Sequence, residues 1–227
     1  MLSIILPAYN EEENIEEAVR GAFEFLRTLR IPFELIIVND GSKDKTGMIL
    51  QELRSRYTNL VIIQHVQNLG KGAALISGFT KAQGELVFFT DSDQQVKITE
   101  LKNFLNQIDS YDFAVGYRLK RQDPWHRRLL SRIFHLIGHF LFGIRVRDFN
   151  CTAKLFRAEM IKSLPLESRG FLIDLEIFAL ARKKGFKFRE LPVTHFPRLK
   201  GKPLSSFNQV FESLFGIFKL WRRLRNI

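Results

Sequence analysis

The sequence has a single cysteine, Cys151, in 227 residues, so no internal disulfide can form; a lone thiol fits a reducing compartment without demanding one. Acidic residues are in deficit. The 24 Asp plus Glu stand against 35 Lys plus Arg, and the formal net charge of +11 calls for an anionic partner. No cationic leader precedes the first apolar run, Leu2-Ser3-Ile4-Ile5-Leu6, so no secretory signal is expected. Long hydrophobic runs are missing too. The longest near-apolar segment, Ile133 to Ile144, is interrupted by histidines and glycines. As a helix it would reach about 18 Å against the roughly 30 Å of a bilayer core, so no transmembrane span is expected. Gly70-Lys71-Gly72 lacks the Walker A spacing, and Leu75 stands where a dinucleotide fingerprint needs its last glycine. The positive charge crowds beside apolar stripes with no DNA- or RNA-binding motif, so nucleic acid is not an expected partner. The length suits one large domain, or a domain with an appendage.

What is present centres on Leu86 to Gln95. Leu86-Val87-Phe88-Phe89-Thr90 reads as a buried strand that stops at Asp91-Ser92-Asp93. Side chains at i and i+2 of a strand end point the same way, so Asp91 and Asp93 can converge, and two like charges there call for a cation or a shared proton. A hard divalent ion bridging the oxygens of a diphosphate is the natural occupant. A plain turn is the alternative. Further strands are predicted at Leu2–Leu6, Phe33–Val38, Leu60–Ile63 and Phe113–Gly116. Helices are predicted from Glu11 to Leu29, to about Arg56 with Asp44 and Thr46 as caps, and from Gly72 to Ala82. That alternation predicts an α/β fold with a mostly parallel sheet flanked by helices. In such sheets ligands bind beyond the carboxyl ends of the strands. Asn10, Asp40, Asn68-Leu69-Gly70-Lys71-Gly72 and Asp91-Ser92-Asp93 all follow strands, so they share one rim and outline a nucleotide-sized site. Gly70-Lys71-Gly72 can offer backbone N–H groups and an ammonium to phosphate, or be an ordinary loop and cap.

Four motifs in order, Leu6-Pro7-Ala8-Tyr9-Asn10-Glu11, Val38-Asn39-Asp40-Gly41-Ser42, Asn68-Leu69-Gly70-Lys71-Gly72 and Asp91-Ser92-Asp93, resemble the signatures of family-2 inverting glycosyltransferases with the GT-A fold. Later residues sharpen the likeness to the dolichyl-phosphate mannosyltransferase-like or polyprenyl-phosphate glycosyltransferase branch. These are Gly116-Tyr117-Arg118, Asp148, Cys151, Lys154-Leu155-Phe156, Phe171 to Glu176, and His195-Phe196-Pro197-Arg198 with Gly201. Gln94 departs from the leucine usual in that branch, and Thr152 from its frequent glycine. The resemblance implies a nucleoside diphosphate sugar donor, a divalent Mg or Mn ion, and a polyprenyl phosphate acceptor, with mannose (from GDP-mannose) or glucose as the sugar. It implies that Pro7, Tyr9, Glu11 and Asp40 hold the nucleoside and that Asp91, Asp93 and Gln95 hold the metal and diphosphate, with Lys71 nearby. It also matches Arg118, Arg127, Ser131 and Arg198 to acceptor-phosphate positions. The enzyme so implied works on the cytoplasmic face of a membrane as a peripheral protein.

The chain changes character between Lys120 and Arg147, where arginines mix with Trp125, Leu129, Ile133, Leu136 and Phe140. That mixture suits a helix lying in a membrane interface; a core or oligomer helix with a solvated basic side is the alternative. His135 and His139 have a spacing that zinc can use, but no third ligand is near in sequence. A second apolar stripe runs from Phe207 to Leu224 and ends in Arg222, Arg223 and Arg225. The expected organisation is a catalytic domain over 1–205, with an acceptor or membrane insertion at 118–147, and a basic amphipathic helix over 206–227. Asp174 and Glu176 are either general bases or helix-start charges. A hydroxyl acceptor needs such a base, whereas a lipid phosphate is already an anion and needs cations to hold it. A glycan hydroxyl acceptor is therefore the first alternative, and nucleotidyl transfer, which would release pyrophosphate, is another.

Overall fold

The computed structural model describes residues 1–119, 125–197 and 207–225, with the side chains of 125–128, 130 and 207–214 outside the description. In chain order the elements are β1 (Leu2–Ala8), α1 (Ile15–Thr28), β2 (Phe33–Asn39), α2 (Thr46–Arg56), β3 (Leu60–Gln64), α3 (Lys71–Lys81) and β4 (Leu86–Phe89). Then come α4 (Leu101–Leu105), β5 (Phe113–Leu119), α5 (Trp125–Phe142), β6 (Lys154–Arg157), α6 (Ala158–Lys162), α7 (Ile173–Lys183), β7 (Phe188–Thr194) and α8 (Phe207–Arg225). The strands form one seven-stranded sheet in the order β3-β2-β1-β4-β6-β5-β7.

Every described pairing is parallel except the two made by β6, which runs antiparallel to β4 and β5. Neither β6 nor β7 is predicted from the sequence. β6 is only four residues long, too short for a periodic signal, and it exists because neighbours on both sides satisfy its backbone.

Consecutive strand residues feed opposite faces, as the pleat requires. Ile4, Leu6 and Phe88 enter one core with Ile15, Val19 and Phe23 of α1, and with Leu50 of α2 and Phe104 of α4. Ile5, Val87 and Phe89 enter the other, with Leu75 and Phe79 of α3, Ile177 of α7, and Ile217 and Leu220 of α8. Both faces are covered, so the strands read as unbroken apolar runs instead of alternating ones. Helix α1 buries Ile15, Ala18, Val19, Ala22, Phe23 and Leu26, one stripe at helical spacing. It starts four residues later than predicted because Glu11 to Asn14 form a turn in which the Glu11 carbonyl accepts from the N–H groups of Asn14 and Ile15.

The two basic apolar segments are neither wholly core nor wholly surface. Helix α5 buries Phe134 and packs Ile137 and Leu141 against the core, yet leaves Leu129, Ile133, Leu136 and Phe140 exposed, the last at 87 %. Helix α8 packs against α5 and α7 through Ile217, Leu220 and Leu224, with Phe215 and Phe218 exposed. No described helix is long and apolar enough to cross a membrane.

Candidate active site

The predicted rim forms. The loop after β1 is zipped to the loop after β2 by five hydrogen bonds. The N–H groups of Asn10, Glu11 and Glu12 donate to Ser42 Oγ, Thr46 Oγ1 and Asp44 Oδ2, while those of Lys43 and Lys45 donate to Asn10 Oδ1 and Glu12 Oε2. Asp44 and Thr46 thus do more than start a helix. Partial burial pushes the Asp44 carboxyl up, but the Thr46 hydroxyl and the Thr46 and Glu12 N–H groups outweigh it, and its pKa lies below the usual value.

This zipper fixes Pro7 on β1 with Tyr9 and Glu11 just beyond it. Pro7 and Tyr9 are part-exposed, whereas Glu11 is buried and accepts from the Asn14 side chain at 2.7 Å. Asp40 is also buried. Its Oδ1 accepts from Leu69 N–H (2.9 Å) and meets His65 Nδ1 at 2.7 Å, and its Oδ2 accepts from Gly70 N–H (2.8 Å). In this structure its carboxylate holds the loop that carries Lys71, and His65 Nε2 in turn meets Ser77 Oγ at 3.0 Å. His65 was not singled out from sequence; its position one residue beyond β3 was the only cue.

Lys71 is the hinge between that loop and the acidic turn, with its Nζ 3.2 Å from Asp91 Oδ1. Burial alone would pull the ammonium down, but Asp91, Asp174 and Asp93 outweigh it and its pKa is raised. Strand β4 ends at Phe89, so Asp91 and Asp93 sit on a turn and not in strand register as the sequence suggested. The turn is held by Ser92 Oγ donating to the Pro7 carbonyl (3.1 Å) and by Gln95 N–H donating to Asp93 Oδ1 (3.1 Å). It passes through Gln94 at φ +58°, a left-handed conformation uncommon for a residue with a side chain. Gln95 is paired with Phe196: Phe196 N–H donates to the Gln95 carbonyl (2.9 Å), and Gln95 Nε2 donates back to the Phe196 carbonyl (3.4 Å). The segment leading to Arg198 is therefore stitched to the acidic turn, though Arg198 itself lies outside the described residues.

Among the described residues no group of three or more His, Cys, Asp or Glu side chains could by itself hold a metal. Asp91, Asp93 and the Gln95 amide are an all-oxygen set of the kind that shares a hard cation with substrate phosphates.

Arg118 lies within β5, not after it. Its Nε and Nη2 grip Asp148 Oδ2 and Oδ1 at 2.6 and 3.0 Å, an ordered fork on the same rim as Asp91. Ser131 lies on α5 and lines a separate cavity of about 850 Å³ with Arg132, His135, Arg145 and Arg147. This cavity reaches Glu190 on β7, three strands from β4 in the row Phe89, Lys154, Val115, Glu190. Arg127 belongs to α5 as well, with its side chain outside the description.

Asp174, Glu176, His135 and His139 all have partners within the fold. Asp174 is buried and takes Lys154 Nζ at 2.6 Å; Lys154, fully buried, also donates to the Cys151 carbonyl. Glu176 is fully buried and accepts from the N–H groups of Glu167 and Ser168 and from Arg223. Both carboxylates are thus committed to buried partners in this structure. His135 donates through Nδ1 to the Ser131 carbonyl and accepts at Nε2 from Phe149 N–H, while His139 Nδ1 meets the Ile144 carbonyl. These two rings tie α5 to the chain that follows.

The model of the family described as glycosyl transferase family 2 matches residues 3–164, which run from within β1 through α6 and include the whole acidic turn. The chain belongs to glycosyl transferase family 2. It is 31% identical over 211 residues to a dolichyl-phosphate beta-glucosyltransferase of Trichomonas vaginalis, covering 85% of this chain and 64% of that protein. It is 28% identical over 222 residues to the undecaprenyl-phosphate 4-deoxy-4-formamido-L-arabinose transferase of Edwardsiella ictaluri, covering 96% of this chain and 64% of that one. The chain thus spans 64% of the length of these curated relatives. Among solved structures it resembles glucosyl-3-phosphoglycerate synthase from Mycobacterium tuberculosis in complex with Mn2+ and UDP-glucose. The TM-score is 0.67 at 19% identity, over 95% of this chain and 76% of the other. The same enzyme with Mg2+ and UDP gives 0.69 at 19% identity, over 95% and 78%. Likeness at that identity establishes the fold, which is GT-A.

Proposed function

We propose that this family-2 chain transfers a sugar from a nucleoside diphosphate donor to a polyprenyl phosphate at a membrane surface, with inversion at the anomeric carbon. The observation that carries the reading is the two-sidedness of α5. It gives Ser131 and Arg132 to a basic cavity and leaves Leu129, Ile133, Leu136 and Phe140 uncovered, so a phosphate site borders a lipid-seeking face. The names of the curated relatives, a dolichyl-phosphate and an undecaprenyl-phosphate transferase, support the acceptor class, and the first supports glucose as the sugar.

On this reading the donor nucleoside lies against Pro7, Tyr9 and Glu11, with Asp40 setting the loop beneath it. Lys71 faces the diphosphate, and Asp91, Asp93 and Gln95 hold Mg or Mn there. Bound there, the divalent ion supplies Lewis-acid stabilisation to the departing nucleoside diphosphate. Arg118, Arg127, Ser131 and Arg198 hold the acceptor phosphate, already an anion, beside the negatively charged donor. No general base is needed, in keeping with the buried commitments of Asp174 and Glu176. The protein works peripherally, on the cytoplasmic face of its membrane.

Purified protein incubated with membranes, Mg or Mn and labelled UDP- and GDP-sugars tests the reading. Label should enter the lipid extract, most strongly from UDP-glucose, and Asp93→Asn should abolish both turnover and metal dependence. Full activity of that variant in a chelator overturns the metal assignment, and label confined to water-soluble products overturns the acceptor.

A further inference from the structure

Glu176 is fully buried, yet three groups from two distant segments converge on its carboxylate. Oε1 accepts from Glu167 N–H at 3.0 Å and from Arg223 Nη2 of α8, and Oε2 accepts from Ser168 N–H at 2.8 Å. The other end of the Arg223 fork meets Glu167 Oε2 at 2.7 Å, and Lys183 Nζ caps α8 at the Leu224 carbonyl. The loop so gripped, residues 167–170, lies directly on the Lys71 loop. A Cβ on Gly72 would fall 2.0 Å from the Ser168 carbonyl oxygen, and one on Gly70, at φ +95°, would fall 2.5 Å from that of Arg169. Ala73 N–H donates to the Arg169 carbonyl at 3.1 Å. Lys71 stands between these contacts and reaches Asp91.

We propose that Glu176 and Arg223 are positioning residues for the donor end of the site. They pin residues 167–170 against Gly70 and Gly72, and thereby hold the backbone that aims Lys71 at the diphosphate. Both lie beyond the part of the chain that the family model matches. The physical reason is the cost of an uncompensated buried carboxylate: Arg223 pairs with Glu176 while that carboxylate grips both N–H groups, and without Arg223 the grip slackens. Assigning a diphosphate to Lys71 rests on the function proposed above, but the mechanical link from α8 to the loop does not.

The test uses the whole chain with Arg223→Gln, Arg223→Lys and the double variant Arg223→Met/Glu176→Gln, which leaves no lone buried charge if the single change unfolds. Amide hydrogen exchange reads the link, and binding of UDP or GDP with Mg reads its consequence. In Arg223→Gln, exchange at residues 69–74 should quicken about tenfold while β2 amides keep their rates, and nucleotide affinity should fall about tenfold. Turnover at saturating donor should hold within about twofold, and Arg223→Lys should recover part of the loss. Unchanged exchange at 69–74, or an equal rise throughout the chain, overturns the proposal. If the wild-type protein binds neither nucleotide, the donor reading fails, and the exchange pattern still decides the link.

Discussion

Replacing Lys154 with methionine keeps most of the side chain's length and removes its charge, and the consequence can be worked from three contacts. Nζ is 2.6 Å from Asp174 Oδ1, 2.5 Å from the Cys151 carbonyl, and 5.1 Å from the centre of the Phe89 ring, and none of the Lys154 side chain reaches solvent. The variant leaves the Asp174 carboxylate buried without its ion partner, a defect that costs about 3–5 kcal/mol. With a urea slope of about 2–3 kcal/mol per molar, the unfolding midpoint should drop by about 1–2.5 M. Lys154→Met/Asp174→Leu removes both charges and should recover most of that loss. Equilibrium urea unfolding followed by far-ultraviolet circular dichroism gives the two values. A single variant within about 1 kcal/mol of wild type, or a double variant less stable than the single, refutes the buried pair. Asp174→Asn separates this structural role from catalysis: turnover lost more than about a hundredfold in a protein of unchanged stability would instead reveal a general base.

Gly72→Ala forces a Cβ against the Ser168 carbonyl, which is backbone and cannot swing away, and should cost about 1–3 kcal/mol in thermal or urea unfolding. Burial, with the nearby Asp148 charge, pushes the Cys151 thiol up to about 11, so iodoacetamide at pH 8 should label it only in denaturant. The folded state binds that proton more tightly than the unfolded state does. Stability from this group is therefore intact below about pH 9 and falls by about 2–3 kcal/mol as pH rises to 11, a slope that Cys151→Ala should flatten in pH-dependent unfolding. Leu136→Asp with Phe140→Asp, at positions 67 % and 87 % exposed, should weaken cosedimentation with anionic vesicles at least about tenfold. The same pair should move stability by no more than about 0.5 kcal/mol per site, and unchanged sedimentation would remove α5 from the membrane reading.

The rim carrying Asp40, Lys71 and Asp91 was legible because it rests on local signals: apolar runs ending in Asp40 and Asp91, and a glycine pair around Lys71. Where the structure departs, the cause is a partner distant in sequence. Lys154 and Asp174 are 20 positions apart and Glu176 and Arg223 are 47, so neither pairing shows until the fold brings its two members together. The question of whether α5 is core or interface has no single answer, because one helix buries Phe134 and exposes Phe140. β6 escaped notice for a related reason. Four residues carry no period, and only β4 and β5 on either side make them a strand.

That short reversed strand also acts as a spacer. By separating β4 from β5 it keeps the acidic turn and Arg118 two inter-strand steps apart, about 10 Å. Such a gap is set by a hydrogen-bonded ladder and not by loops, so on the proposed reading the separation of leaving group and incoming phosphate is a dimension of the sheet itself. Loop changes could then exchange one sugar or nucleotide for another while the reach of the reaction stayed the same.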